Sequence, residues 1–287
     1  MMKQLAFRQV DVFTRVPFKG NPVAVVFDAD SLGTQQMQAI ANWTNLSETT
    51  FICAPRDRAA DYRLRIFTPK RELAFAGHPT IGSAHAVLEQ GIRPKTAGRL
   101  VQECGAGLVA LTIEKERLFL TLPQAALREV DEPLAGEIAA ALGIAADAVL
   151  AKAVVDVGVS WITLQLAGAD RVRSLQPDLA RIAALTPRST AGVTVFGLAP
   201  GTVETQIEVR SFAPADGVPE DPVCGSGNGC VAALIRQENL LGTSGYVASQ
   251  GGCLGRDGRV EVQYRDDGTI LLGGHAVTCV EGSLATP

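Results

Sequence analysis

The sequence lacks an excess of positive charge and lacks long apolar runs. Its 287 residues carry 26 Lys and Arg against 30 Asp and Glu, so we do not expect the basic surface that neutralises nucleic-acid phosphates. No stretch approaches the roughly 20 consecutive apolar residues of a membrane-spanning helix. We therefore expect a protein that binds neither nucleic acid nor membrane.

Closely spaced cysteine pairs of the zinc-binding kind are also absent. The six cysteines lie mostly in apolar segments, which favours free thiols in a reducing compartment. The first residues form no secretory apolar core, because Arg8 and Asp11 interrupt it early. We expect a cytoplasmic protein.

The sequence does contain an internal repeat. Residues 64–69, Leu-Arg-Ile-Phe-Thr-Pro, are echoed by residues 209–214, Val-Arg-Ser-Phe-Ala-Pro. A glycine follows each copy, Gly77 in the first and Gly225 in the second, and a helix rich in small and apolar residues comes next. Such a matched order of strand, glycine and helix indicates tandem duplication.

The segments after these helices match as well. Leu100-Val101-Gln102 corresponds to the run Val247-Ala248-Ser249-Gln250, and two strand-like segments follow in each half. The order of elements is therefore repeated at an offset of about half the chain.

The repeat predicts an α+β fold of two duplicated domains, residues 1–124 and 125–287, divided near Pro123. The helices expected near 79–90 and 228–240 have little polar face, which is typical of helices buried on all sides. We therefore expect each domain to be a mixed, mostly antiparallel, barrel-like sheet wrapped around a central helix. The last strand belongs either to the second domain or back in the first.

Gly77 and Gly225 are candidates for binding an anion. The first backbone N–H groups of a helix have no intrahelical partner, and a glycine lets a ligand approach them closely. Two such helix ends facing a cleft between the domains would bind a carboxylate. The alternative for each glycine alone is a tight turn.

Three groups that can move or hold protons lie near these glycines. His78 follows Gly77 directly, Ser226 follows Gly225, and Asp221 precedes Gly225 by four residues. Each also has a structural interpretation: a histidine bonded to backbone, a helix cap and a turn residue before proline. Because all three residues lie close to the two glycines in the sequence, we favour a catalytic or substrate-binding role over these structural interpretations.

Glu48 lies between a predicted helix and an apolar strand. A carboxylate at the edge of an apolar segment would be desolvated, which raises its pKa toward the range of a general base. The alternative is an ordinary exposed glutamate in a loop.

Several of these segments together resemble the phenazine-biosynthesis isomerase-like proteins, in the right order over nearly the whole chain. The matching segments are residues 9–14, 18–25, 45–49, 65–69, 76–80 and 220–226. The resemblance implies the fold shared with diaminopimelate epimerase and proline racemase, a homodimer, and no metal or organic cofactor.

The resemblance also implies roles for individual residues. Glu48 matches the acid/base that moves a proton between two carbons of a dihydro-hydroxyanthranilate, a small substrate that carries a carboxylate. His78, Asp221 and Ser226 match residues that bind the substrate and assist the transfer. Asn21, within the matching segment 18–25, is a further candidate for substrate binding.

Cys224 departs from the family pattern, which has threonine there. Related epimerases and racemases place one of two catalytic cysteines at this position, and the other would fall at Ala76. The two-thiol pair is therefore absent, and we interpret Cys224 as a small buried residue that is also a candidate for substrate binding. Two alternatives stay open: an epimerase or racemase that uses Cys224, and a binding protein that has lost catalysis.

Overall fold

The computed structural model describes residues 3–199 and 204–286. The chain forms two compact units, residues 1–120 with 273–287 and residues 121–272. Both units combine β-strands with a smaller number of α-helices, so the α+β class is confirmed. None of the helices in the described ranges has the length and hydropathy that a bilayer-crossing helix needs.

The strands, in chain order, are β1 (Lys3–Val12), β2 (Asn21–Val26), β3 (Thr49–Cys53), β4 (Tyr62–Phe67), β5 (Glu72–Leu73), β6 (Arg99–Cys104), β7 (Gly107–Glu114), β8 (Arg117–Thr121), β9 (Ala126–Arg128), β10 (Ala151–Asp156), β11 (Ser160–Leu166), β12 (Gly192–Leu198), β13 (Ile207–Ala213), β14 (Val218–Asp221), β15 (Gly245–Gln250), β16 (Gly258–Tyr264), β17 (Ile270–Gly274) and β18 (Ala276–Thr286). The helices are α1 (Thr34–Thr44), α2 (Gly77–Glu89), α3 (Glu132–Ala141), α4 (Ala169–Arg173), α5 (Leu179–Leu185) and α6 (Gly225–Gln237).

In the first unit, β1 pairs antiparallel with both β2 and β18. The sheet continues through a parallel β2–β3 pair, an antiparallel β3–β4 pair and a parallel β4–β6 pair. β-branched and aromatic residues dominate β3, Thr-Thr-Phe-Ile-Cys, and all five are buried. The chain's last strand thus lies in the same unit as its first.

Helix α2 packs against β1, β2, β3, β4 and β18. Nine of its thirteen residues are buried, as its nearly all-apolar surface predicts. Small residues allow this close packing: a Cβ on Gly82 would lie 2.4 Å from a Val23 methyl and 2.8 Å from a Val12 methyl. The glycine is required here by the approach of two strands to the helix.

In the second unit, β10 pairs antiparallel with both β9 and β11. The sheet continues through a parallel β11–β12 pair, an antiparallel β12–β13 pair and a parallel β13–β15 pair. Helix α6 packs against β10, β11, β12 and β16, and nine of its thirteen residues are buried. The order and direction of these pairings follow those of the first unit.

A separate apolar core lies under α3 and α5 of the second unit, with Ile138 and Ile182 fully buried among residues of β11 and β12. In the first unit, α1 covers a smaller core that includes Phe51 and Phe67, whose rings meet edge to face at 5.4 Å. Burying one such phenylalanine contributes about 1.5–3 kcal/mol.

Candidate active site

Glu48 lies at the entry to β3 in the first unit. Helix α1 ends at Thr44, and Asn45 turns the chain with a left-handed φ of 54°, a conformation that asparagine tolerates. The Glu48 carbonyl accepts a hydrogen bond of 3.4 Å from the Ala24 N–H, which ties this loop to β2. Only 14% of the Glu48 side chain is exposed, so it is not an ordinary loop glutamate.

His78, the second residue of α2, faces Glu48. Its Nε2 atom lies 3.3 Å from Glu48 Oε2, and the imidazole is buried. Burial lowers the pKa of His78 to about 3, against a smaller raising effect of a hydrogen bond to the Pro22 backbone. Proline offers only a carbonyl, so His78 is the donor in that bond. The ring is therefore neutral and presents Nε2 to the carboxyl group as an acceptor.

Gly77 directly precedes His78, and Asn21 directly precedes Pro22, whose backbone His78 contacts. A Cβ built on Gly77 would meet only a Leu120 methyl, at 4.0 Å, so the start of α2 has open space beside its backbone. Asn21, the first residue of β2, is fully buried and precedes Pro22. The first unit thus brings Glu48, Gly77 and His78 together, with Asn21 on the adjoining segment.

Asp221 is the last residue of β14 in the second unit. Its Oδ1 atom accepts a hydrogen bond of 3.0 Å from the Val223 N–H. Burial raises the pKa of Asp221 to about 6, although hydrogen bonds from Val223 and the Cys224 side chain act in the opposite direction. A carboxyl group with this pKa can change its protonation state near neutral pH, as acid/base catalysis requires.

Cys224 caps α6. Its Sγ atom accepts a hydrogen bond of 3.2 Å from the Gly227 N–H and lies 3.6 Å from Ser226 Oγ. Burial, and secondarily the nearby Asp221 charge, raise the pKa of the Cys224 thiol well above its usual value. Because the thiolate is the basic form, the environment does not favour Cys224 as a base.

Ser226 is held by a tryptophan that the sequence did not single out. The Trp161 indole N–H donates a hydrogen bond of 3.0 Å to Ser226 Oγ, which leaves the serine O–H able to donate elsewhere. Cys224, not Ser226, provides the helix cap. Gly225 is the first residue of α6, directly before Ser226.

Gln250 is a second residue that sequence reasoning missed as part of the site. Its Oε1 accepts hydrogen bonds from the Cys224 N–H at 3.1 Å and from Asn228 Nδ2 at 2.7 Å, and its Nε2 donates to the Asp221 carbonyl at 3.0 Å. The side chain thereby links the end of β14 to the start of α6.

Gln102 makes a related set of contacts in the first unit. Its Nε2 lies 3.1 Å from Thr80 Oγ1 on α2, and the Tyr62 hydroxyl donates to its Oε1 at 2.9 Å. The signal for both glutamines was present in the repeat, where residues 100–102 match 247–250.

The predicted residues thus form two groups. Glu48, Gly77 and His78 lie in the first unit, and Asp221, Cys224, Gly225 and Ser226 lie in the second. Within residues 3–199 and 204–286, no three or more His, Cys, Asp or Glu side chains are grouped so that they could hold a metal ion.

Comparisons with known proteins agree over nearly the whole chain. The family model described as "Phenazine biosynthesis-like protein" matches residues 10–282. "Antisense-enhancing sequence 1" of Schizosaccharomyces pombe is 42% identical over 98% of this chain and 99% of its own length. "Uncharacterized isomerase YddE" of Escherichia coli K12 is 36% identical over 95% of this chain and 97% of its own length.

Solved structures show the same fold. A Bacillus anthracis phenazine biosynthesis protein of the PhzF family has a TM-score of 0.86 at 23% identity, covering 99% of both chains. A hydroxyproline epimerase from Agrobacterium vitis has a TM-score of 0.62 at 14% identity, covering 99% of this chain and 92% of that one. At these identities the likeness concerns the fold alone.

Proposed function

The chain belongs to the phenazine biosynthesis-like protein family and is an isomerase, and we propose that it moves a proton between two carbons of a small carboxylate-bearing substrate with Glu48 as the acid/base. The observation that carries this proposal is the buried contact of 3.3 Å between Glu48 Oε2 and His78 Nε2. The substrate class resembles trans-2,3-dihydro-3-hydroxyanthranilate, and catalysis needs no metal or organic cofactor.

Glu48 removes a proton from one carbon and returns it to another on the same face of the substrate. While Glu48 holds the proton, the neutral His78 ring can accept a hydrogen bond from it. With a pKa of about 3, His78 does not take the proton away. A single carboxyl group can therefore serve as base and acid in turn.

In this proposal the second group of residues also takes part in binding and polarising the substrate. The backbone N–H groups at the start of α2, at Gly77, and at the start of α6, at Gly225, are each suited to binding a carboxylate. Ser226, oriented by Trp161, donates a hydrogen bond to the substrate through its hydroxyl group. Asp221, with a pKa of about 6, exchanges a proton with the reacting part of the substrate. Asn21 contributes a further polar contact.

We also propose that the two units arose by duplication. The matched strand pairings support it, as do two buried helices of thirteen residues and the corresponding glutamines Gln102 and Gln250. Glu48 has no counterpart in the repeat, so the chemistry is asymmetric although the scaffold is repeated.

The test uses trans-2,3-dihydro-3-hydroxyanthranilate in deuterium oxide, with product formation and carbon-bound deuterium followed by NMR and mass spectrometry. The wild-type protein should convert the compound and incorporate solvent deuterium, because part of the protons held on the Glu48 carboxyl group exchange with solvent before they are returned. Glu48→Gln should lower both rates by about a hundredfold or more while circular dichroism and Tm stay near those of the wild type.

A matched control is Glu116→Gln, which changes an exposed carboxylate of the same unit outside the proposed site residues and should keep the wild-type exchange rate. Retained deuterium exchange in a folded Glu48→Gln variant would refute the role of Glu48. Exchange with other small carboxylates, but not with this compound, would preserve the role of Glu48 and change the substrate class.

An epimerase that uses Cys224 is the second candidate, because Cys224 lies beside Ser226 and Asp221. The raised pKa of the Cys224 thiol argues against an epimerase, and position 76 carries an alanine instead of the second thiol. A binding protein without catalysis is a third candidate, and it predicts no carbon-bound exchange with any small carboxylate. The homodimer implied by the family resemblance and the cytoplasmic location expected from the sequence stay predictions, which light scattering and cell fractionation test.

A further inference from the structure

An arginine and a glutamate form a two-pronged ion pair in each unit. In the first unit, Arg65 Nε and Nη2 donate to the two carboxylate oxygens of Glu72, both at 2.7 Å. In the second unit, Arg210 Nε and Nη2 donate to the two oxygens of Glu220, at 2.9 and 2.8 Å. This fork geometry fixes the orientation of both side chains, which a single contact does not.

Each guanidinium also lies over an aromatic ring of its own strand. The centre of the Arg65 guanidinium is 5.1 Å from the Phe67 ring centroid, and that of Arg210 is 5.0 Å from the Phe212 ring. Such cation–π contacts stabilise a planar guanidinium in one position. The arginine, the phenylalanine and the glutamate therefore form one arrangement that occurs twice.

The glutamates occupy equivalent places along the chain. Glu72 lies in β5, five residues before Gly77, and Glu220 lies in β14, five residues before Gly225. Each ion pair fastens a short strand to the longer strand before it, β5 to β4 and β14 to β13. The pair thus constrains the segment that enters each buried helix.

The pair in the second unit is the more buried one. The side chains of Arg210 and Glu220 are 7% and 10% exposed, compared with 21% and 38% for Arg65 and Glu72. Arg210 Nη1 also donates to the backbone carbonyls of residues 172 and 175, at 3.3 and 2.9 Å. With its donors satisfied on several sides, this guanidinium has one well-defined position.

Asp221 directly follows Glu220 in β14. Successive side chains of a strand point to opposite faces, so holding Glu220 on one face determines where Asp221 points on the other. Asp221 in turn receives hydrogen bonds from the Val223 N–H and the Cys224 side chain. By orienting Asp221, Glu220 therefore also constrains the position of the residues at the start of α6.

Resting on the proposed function, we infer that Arg210 and Glu220 are positioning residues that hold Asp221 and Cys224 in their places at the substrate-binding end of α6. Neither of them contacts substrate in this inference. The Arg65–Glu72 pair has the same geometry in the other unit and therefore provides a matched control.

The test measures the local order around Cys224 through its thiol and needs no substrate. Wild-type protein and the variants Arg210→Lys and Arg65→Lys are treated with iodoacetamide under native conditions, and mass spectrometry gives the alkylation rate of each cysteine. Cys230, buried in the same helix, is the internal reference for unfolding of α6. Lysine keeps the charge of arginine but cannot form the two-pronged pair.

We expect Arg210→Lys to raise the alkylation rate of Cys224 by about tenfold or more and to leave that of Cys230 unchanged. Arg65→Lys should leave both rates at the wild-type values. Equal increases in the alkylation rates of Cys224 and Cys230 would show that the ion pair only stabilises the fold, and would overturn the inference. An unchanged alkylation rate of Cys224 in Arg210→Lys would overturn it as well. If Arg210→Lys does not fold, Glu220→Gln, which keeps the shape of the glutamate, is measured in the same way.

Activity provides an independent readout. Arg210→Lys should lower kcat for the isomerisation, and Glu220→Gln, which removes the same ion pair, should lower it by a similar factor. Because the thiol measurement needs no turnover, it can fail while the role of Glu48 stands. It can likewise succeed if the proposed substrate is wrong.

Discussion

His78 Nε2 and Glu48 Oε2 lie 3.3 Å apart in a buried part of the first unit. The hydrogen bond that His78 donates to the Pro22 carbonyl leaves Nε2 as the acceptor, and burial keeps the ring neutral. The carboxyl group therefore faces a fixed, uncharged base that it does not protonate. In the proposed reaction, this arrangement would let Glu48 hold a proton between its removal from one carbon and its return to another.

The first prediction concerns stability at low pH. The pKa of His78 falls from 6.5 to about 3 on folding, so the unfolded chain binds a proton below pH 6.5 that the folded protein does not. The free energy of unfolding should therefore decrease as the pH falls from about 6.5 to about 3, by up to about 1.4 kcal/mol for each pH unit. Urea unfolding of wild-type protein and His78→Asn across this range measures the difference in slope.

Asparagine is suitable at position 78 because its amide can still donate to the Pro22 carbonyl. His85 also has a pKa lowered by burial, so His85→Gln is the control. In this variant the contribution of His78 to the slope of unfolding free energy against pH should remain. Equal slopes for the wild type and His78→Asn would contradict the buried neutral ring.

The second prediction is that Asp221→Asn stabilises the protein at neutral pH while it reduces activity. Folding raises the pKa of Asp221 from 3.8 to about 6. The stabilisation from its protonated form is complete below pH 3.8 and is lost as the pH rises through about 6. Above that pH the wild type carries a buried charge, and the asparagine variant should be more stable by up to about 3 kcal/mol.

Urea unfolding at acid and at neutral pH tests this, since the gain should shrink toward acid pH. Asp156→Asn is a control of opposite sign, because hydrogen bonds from Ser160 and the Gly158 N–H lower the pKa of Asp156. That variant should lose stability at neutral pH. A loss of stability in Asp221→Asn at neutral pH would argue against a carboxylate whose charged form is destabilised by desolvation.

The third prediction separates the cap function of Cys224 from catalysis. Its Sγ accepts the Gly227 N–H at the start of α6, a role that a serine hydroxyl fills better than a methyl group. Cys224→Ala should lower the free energy of unfolding by about 1 kcal/mol, and Cys224→Ser should not. If Glu48 is the acid/base, Cys224→Ser keeps its activity within about tenfold of the wild type. Complete loss of activity in this well-folded variant would favour the epimerase.

Sequence reasoning succeeded where the contacts are local. Asp221, Cys224 and Ser226 lie within six residues of one another around the start of α6, and the repeat marked that start through Gly225. The burial of α2 and α6 followed from their apolar composition. These features depend on composition and short spacing, which a sequence displays directly.

Contacts between distant segments could not be read in this way. The residue pattern around Glu48 allowed either a desolvated general base or an exposed loop glutamate, and only the family resemblance favoured the first. The contact of Glu48 with His78 joins the loop before β3 to α2. Trp161 reaches Ser226 across 65 residues, and a single tryptophan in an apolar strand gives no sign of that bond. Helix Glu132–Ala141 was also missed, although Pro133 in its first turn is a known start signal.

The final prediction uses two helical glycines to test how closely α2 is packed. Gly82→Ala would place a methyl group 2.4 Å from a Val23 carbon and 2.8 Å from a Val12 carbon, so strand or helix must shift, at a cost of about 1–3 kcal/mol. Gly136→Ala in α3 meets nothing within 4 Å and should gain up to about 1 kcal/mol from better helix propensity. Urea unfolding should therefore move in opposite directions for the two substitutions. A stabilised Gly82→Ala would show that α2 is not confined between β1 and β2, and the position of His78 would then depend on its bond to Pro22 rather than on the packing of its helix.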